Sequence, residues 1–154
     1  MSRQYWTETL FSATTSGTII SATTTETIIF PNITIPANYM SDGRTLELIA
    51  YGRHTAASTP TLTFRVRWGG VAGTVLCASG AMVTGTVTAG IWRVVVHLVT
   101  TTNGSSGAIY AIGSAKINED ATQTVGSATL AGVEDFMGSA GVATPAAVTV
   151  DLTA

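Results

Sequence analysis

The chain has 154 residues and a mass of 15.8 kDa, enough for one domain that buries about two-thirds of its unfolded surface. Only 10% of its residues are charged, the net charge is −2, and 28 threonines stand against a single lysine, Lys116. This balance excludes electrostatic binding of nucleic acid, which needs a basic excess. A mean hydropathy of +0.38 excludes disorder, and a lone cysteine, Cys77, excludes a disulfide scaffold.

β-Branched residues are abundant and helix formers scarce, so the local bias is towards strand. Residues 5–12 form the first candidate strand, with Tyr5, Trp6, Leu10 and Phe11 as its apolar positions. The same stretch, within residues 1–17, also suits an N-terminal arm, because aromatics near a terminus make good interface anchors. A second candidate covers 26–35, where Pro31 and Pro36 bracket Asn-Ile-Thr-Ile and so predict an edge strand or a bent one. After a Ser-Asp-Gly turn at 41–43, Thr45 to Arg53 places Leu46, Leu48 and Ala50 on one face and Glu47, Ile49 and Tyr51 on the other.

The cleanest alternation runs from Leu62 to Trp68. Leu62, Phe64, Val66 and Trp68 share one face, and Thr63, Arg65 and Arg67 share the other. A period of two over seven residues is the pattern of a half-buried antiparallel strand. Gly69-Gly70 predicts a turn, and 73–78 the next strand. From Ile91 to Thr100, Trp92, Val94, Val96 and Leu98 form an apolar row, while Arg93, Val95, His97 and Val99 form a mixed one. A row that is half apolar suggests burial by a neighbour. Asn103-Gly104 reads as a hairpin turn leading into a strand at 107–115. Residues 118–144 read as a small-residue loop region, with one helical turn at Leu130–Met137 and a turn at Gly138–Gly141. A last strand covers 147–153. About eight short strands separated by turns predict one antiparallel β-sandwich or jelly roll spanning 1–154.

No enzymatic constellation is apparent. His54 and His97 are distant from each other and from Cys77, whereas zinc needs three or four clustered ligands. The simpler reading puts His97 on a strand face, His54 at a loop edge and Cys77 in the core as a small hydrophobe. Glu119-Asp120 and Glu134-Asp135 are adjacent pairs, which on a strand point to opposite faces and form no dyad. Asn118-Glu-Asp reads as a solvated loop rather than a calcium site. Trp68-Gly-Gly-Val-Ala-Gly73 lacks the spacing and the lysine of a phosphate loop, and suits a tight turn. No catalytic residue, metal or cofactor is therefore expected. Nor is a membrane span, since about 18 consecutive apolar residues occur nowhere. The opening Met-Ser-Arg-Gln-Tyr-Trp leads into no apolar run, so folding in a cytoplasm is expected.

Charge depletion is the positive signal. A monomer of this mass exposes about 7,000 Å², and sixteen charged side chains leave most of that surface to Thr, Ser, Ala and Gly. Such a surface suits permanent contact with other subunits, whose buried cores are poor in charge.

Residues 17–115 resemble small β-rich virion proteins of tailed bacteriophages, among them jelly-roll capsid decoration proteins and head or tail fibre modules. The resemblance rests on Gly17-Thr-Ile-Ile-Ser-Ala-Thr-Thr-Thr-Glu-Thr-Ile-Ile-Phe30, on Ile35-Pro-Ala-Asn38 leading to Gly43-Arg-Thr-Leu46, and on Thr59-Pro-Thr-Leu-Thr-Phe-Arg-Val-Arg-Trp-Gly-Gly70, with Trp92 and Ser105-Ser-Gly107. It implies a decoration or cement protein on the capsid surface, made in the host bacterial cytoplasm. The implied partners are further copies of itself, as a homotrimer, and the major capsid protein. Tyr5, Trp6, Leu10 and Phe11, together with Arg93, Val95, His97 and Val99, are the expected interface residues. Chains of this type often continue past a strand like Val148-Thr-Val-Asp-Leu-Thr153, so either the sheet here closes differently or a neighbouring subunit completes it. The alternative is a tail or fibre module that binds a host glycan, with Tyr39 beside Asn38 and Asp42, or Tyr110, as its aromatic platform. A cupin-like enzyme would need a histidine-carboxylate metal cluster.

Overall fold

In a computed structural model, which describes residues 7–21, 23–30, 32–118 and 130–154, the regular structure is all β, with no helix among the described residues. Among the described residues ten strands follow in order: β1 (Ile33–Ile35), β2 (Thr45–Ala56), β3 (Thr61–Leu62), β4 (Arg65–Trp68), β5 (Thr74–Ala78), β6 (Met82–Val83), β7 (Val87–Thr102), β8 (Ala108–Asn118), β9 (Leu130–Gly141) and β10 (Val148–Thr153). Sheet I has the order β1-β10-β4-β5 and sheet II the order β2-β7-β8-β9, while β3 and β6 form a small separate ladder. All pairings are antiparallel. The two larger sheets make a β-sandwich. They do not establish jelly-roll order, because β7, β8 and β9 are neighbours both in sequence and in space.

The period of two sets what is buried. Val66 and Trp68 of β4, Leu76 of β5, and Val150 and Leu152 of β10 face inward from sheet I. Ala50 of β2, Trp92, Val94, Val96 and Leu98 of β7, Ile109, Ala111, Ala115 and Ile117 of β8, and Phe136 of β9 meet them from sheet II. The predicted rows of β4 and β7 are therefore the core. Phe64, 1% exposed, packs on Trp92 with ring centroids 4.9 Å apart. Phe30 meets the same indole edge-on at 6.1 Å, so the segment before β1 closes one side of the sandwich together with Ile29 and Ile20. On the other side β5 approaches β9 so closely that a Cβ on Gly138 would lie 2.2 Å from the Leu76 carbonyl oxygen.

Sheet I is also clamped from outside. The Arg67 guanidinium donates two hydrogen bonds to the Glu26 carboxylate (2.6 and 2.7 Å) and a third to the Gly73 carbonyl (2.8 Å). Thr153 donates its hydroxyl to Glu26, and Arg65 stands 3.6 Å away. Next to this cluster, the Thr27 and Ile29 N–H groups donate to the Ala154 and Leu152 carbonyls. The clamp thus ties the segment before β1 to β10 and β4. Donation from Arg67 is the main reason that the Glu26 pKa falls from 4.5 to about 2; burial opposes it, and Thr153 and the two positive charges add to it.

Several expectations change. Within 5–12 the described residues form no strand, and Tyr5 and Trp6 lie outside the described residues. Leu130–Gly141 is neither a helical turn nor a loop and turn, but the 12-residue strand β9. Glycines and alanines hid it, because the close approach of β5 demands a small residue at 138. The stretch 62–68 splits into β3 and β4. The break comes where the Phe64 N–H turns to Ser79 Oγ, while Ser79 N–H donates back to the Phe64 carbonyl, both at 2.9 Å. His54 lies within β2, not at a loop edge. The final strand is central: β10 is flanked by β1 and β4 in sheet I. Gly69 and Gly70, at φ 95° and 84°, make the β4–β5 turn in the left-handed region that glycine tolerates.

Candidate interaction surface

The outward residues of sheet II form one continuous face, and the register fixes who stands beside whom. Thr45, Val99, Tyr110 and Ser139 make the first row across β2, β7, β8 and β9. Glu47, His97, Ile112 and Met137 make the second; Ile49, Val95, Ser114 and Asp135 the third. Tyr51, Arg93 and Lys116 follow on three strands, then Arg53 and Ile91 on two. Because side chains alternate, every one of these points away from the core.

This face is unusually apolar for open surface. Met137 is 77% exposed, Tyr51 62%, Tyr110 58%, Ile112 54%, Ile91 52% and Ile49 46%. Val95 and Val99 are half-buried between them. Val99, Tyr110, Ile112, Met137 and Ser139 line a shallow depression at one end. Scattered exposed hydrophobics are normal, but a contiguous apolar area of several hundred Å² marks an interaction site. The polar members are weakly engaged: His97 Nε2 stands 3.8 Å from Glu47 Oε1 across the β2–β7 pair, and the Arg93 guanidinium lies 5.9 Å from the Tyr51 ring centre.

Of the expected interface residues, Arg93, Val95, His97 and Val99 are brought together here, all on the outward row of β7. Leu10 and Phe11 are each 40% exposed in a segment without strand structure. Tyr110, Ile112 and Met137, at the most apolar end, were not singled out as interface residues from the sequence. The signal was present in β8: its inward row, Ile109, Ala111, Gly113 and Ala115, is already apolar, so Tyr110 and Ile112 are surplus on the other side.

The residues weighed for chemistry are placed elsewhere. Cys77 is 3% exposed, and burial pushes its thiol up to about 12, with the Val66 backbone opposing slightly. Burial lowers the pKa of the inward-facing His54, against a smaller opposing effect of the Thr84 backbone. Asp135 is exposed on β9, and Glu119-Asp120 lies outside the described residues. Among the described residues no three His, Cys, Asp or Glu side chains group as metal ligands. Tyr39 is held as a loop anchor: its hydroxyl donates to Glu8, Arg44 covers its ring at 4.2 Å, and Arg44 Nη1 donates to its carbonyl at 2.6 Å. The bond to Glu8, aided by burial, raises the Tyr39 pKa. Asp42 accepts from the Asn103 N–H at 2.6 Å and so joins two turns.

No family model, curated protein or solved structure matches this chain.

Proposed function

We propose that this protein is an adhesive structural subunit: a β-sandwich that self-associates through the outer face of sheet II and, as an oligomer, decorates and cements a phage capsid. The observation that carries the reading is the exposure of Ile49, Tyr51, Ile91, Tyr110, Ile112 and Met137 on one sheet face of a chain with few charges. The resemblance of residues 17–115 to tailed-phage virion proteins supplies the setting. The mechanism is linkage. A protein that binds only the assembled shell stabilises that shell, and a modest free energy at each of many sites sums to a large one.

Copy number in purified virions tests the proposal. Quantitative mass spectrometry should find hundreds of copies per particle; a few to a few dozen would move the protein to a tail or fibre, and none would refute a virion role. Particles lacking the protein should assemble and package DNA but release it sooner on heating. Because apolar burial is not screened by salt, the protein should stay bound in about 1 M NaCl. Unchanged particle stability combined with lost adsorption to the host would replace cementing by glycan binding.

A further inference from the structure

We infer that the outer face of sheet II is the seat of a second copy of this chain, packed face to face about a two-fold axis. This deepens the adhesive reading by naming its first partner, but does not depend on a virion.

Size comes first. Four strands about 4.8 Å apart and nine residues of about 3.4 Å rise give a footprint of roughly 20 by 30 Å, before side-chain relief is added. That planar footprint of at most about 600 Å² is of the order of the roughly 800 Å² of accessible surface that specific interfaces bury on each partner.

Charge then selects the occupant. Arg53, Arg93 and Lys116 lie towards one end of the strands, Glu47 and Asp135 lie nearer the middle, and the row Thr45, Val99, Tyr110, Ser139 at the far end carries no charge. A polyanion would need a face of one sign. A face that carries both signs and ends in an uncharged row can instead complement itself. Packing two sheets with their strands nearly aligned is an ordinary sandwich geometry, and a two-fold contact uses the same patch twice.

Four placements of an axis in the interface plane, perpendicular to the strands, lie near the middle of the face. Centred on the second row it sets Glu47 against Glu47 of the other copy. Centred on the third it sets Asp135 against Asp135 and His97 against Arg93. Between these rows it sets no like charges opposite. Tyr110 then faces Lys116 of the other copy, a cation–π pairing; Val99 faces Arg93, Ile112 faces Ser114, and Met137 faces Asp135. Between the third and fourth rows it also sets no like charges opposite, and Glu47 faces Arg53, but Tyr110, Ile112 and Met137 then face none of the residues in the five rows. The geometry therefore points to the placement between the second and third rows, and with it to two copies rather than the three expected from the sequence.

The test is analytical ultracentrifugation and native mass spectrometry of the full chain from about 0.1 to 100 µM, a span that covers the affinities usual for interfaces of this size. The wild type should form a two-copy species. Ile112→Lys with Met137→Lys should weaken association at least 100-fold with unchanged far-UV circular dichroism, while Ile19→Lys, at a residue 90% exposed elsewhere, should leave it intact. Ile112→Cys with Ser114→Cys should cross-link the pair on oxidation, whereas Ser114→Cys alone should not. A monomer at 100 µM, a three-copy species, or a pair that survives the double lysine change would overturn the inference. A two-copy protein absent from virions would retain this interface and refute the cementing role; a monomer abundant on virions would do the reverse.

Discussion

Replacing Gly52 by alanine isolates how tightly the centre of the sandwich is packed. An ideal Cβ at 52 would stand 2.1, 2.2 and 2.6 Å from Cζ2, Cε2 and Nε1 of Trp92. Carbon atoms normally rest about 3.5–4.0 Å apart, so the indole would have to retreat by about 1.5 Å. It has little room: Trp92 is 7% exposed, with Phe64 at 4.9 Å and Phe30 at 6.1 Å between ring centres. Gly52 is not in the left-handed region, so alanine suffers no backbone strain, and without the indole the change would stabilise by about 0.4–1 kcal/mol through the unfolded chain. We expect Gly52→Ala to destabilise instead, by about 2–3 kcal/mol, the upper part of the range for overpacking. In a chain of this size that lowers Tm by about 4–10 °C. Urea unfolding followed by far-UV circular dichroism, at one fixed protein concentration, gives the value. The decisive comparison is the same substitution in a Trp92→Phe background, where the clashing atoms are gone and at least about 1 kcal/mol of the cost should disappear. A neutral Gly52→Ala, or a cost undiminished by the smaller ring of the Trp92→Phe background, would refute the packing argument.

Two further outcomes follow from the core and the clamp. Phe64→Ala should cost about 3–5 kcal/mol in denaturant unfolding, and Arg65→Ala well under half of that, since Phe64 is 1% exposed while the Arg65 side chain is 35% exposed and only 3.6 Å from Glu26; the reverse order would mean that the strand faces the other way. The clamp should appear as acid sensitivity. Glu26 has a folded pKa of about 2 against 4.5 unfolded, so as pH falls the unfolded chain takes up the proton first. Its stabilisation is complete above about pH 4.5 and is lost progressively towards pH 2. The shift bounds the effect at about 3 kcal/mol, and partial solvent screening reduces it to about 1–2 kcal/mol. Glu26→Gln should therefore lose about that much at pH 7 and show a flatter decline between pH 4.5 and 2, measured by urea titrations at each pH.

What the sequence made legible was what alternation alone can carry. The rows Phe64, Val66, Trp68 and Trp92, Val94, Val96, Leu98 are inward as their period requires. Strand β9 was not legible, since Leu130–Met137 reads as a helical turn and Gly138–Gly141 as a turn until β5 is seen lying against Gly138. The face on sheet II was half legible. Along β7 the mixed row Arg93, Val95, His97, Val99 signals partial burial, but the union of that row with Ile49, Tyr110, Ile112 and Met137 is made by the lateral register, which no single segment encodes.

The central place of β10 bears on how the protein is made. Sheet I needs Val148–Thr153 between β1 and β4, elements roughly 80 residues or more earlier in the chain. At translation rates of about 5–20 residues per second, β1 and β4 wait several seconds or more on the ribosome with their pairing edges unfilled. Sheet II has β2, β7 and β8 by residue 118 and can begin to form first, with the core faces of sheet I docking on it only after β10 arrives. The nascent chain therefore passes through a stage with sheet II partly paired and sheet I open, and unpaired strand edges are where β proteins meet the wrong partner. The very few charges that suit the mature surface to close contact give little repulsion during that interval, so yield in cells should depend on temperature and expression rate more steeply than the stability of the finished fold would suggest.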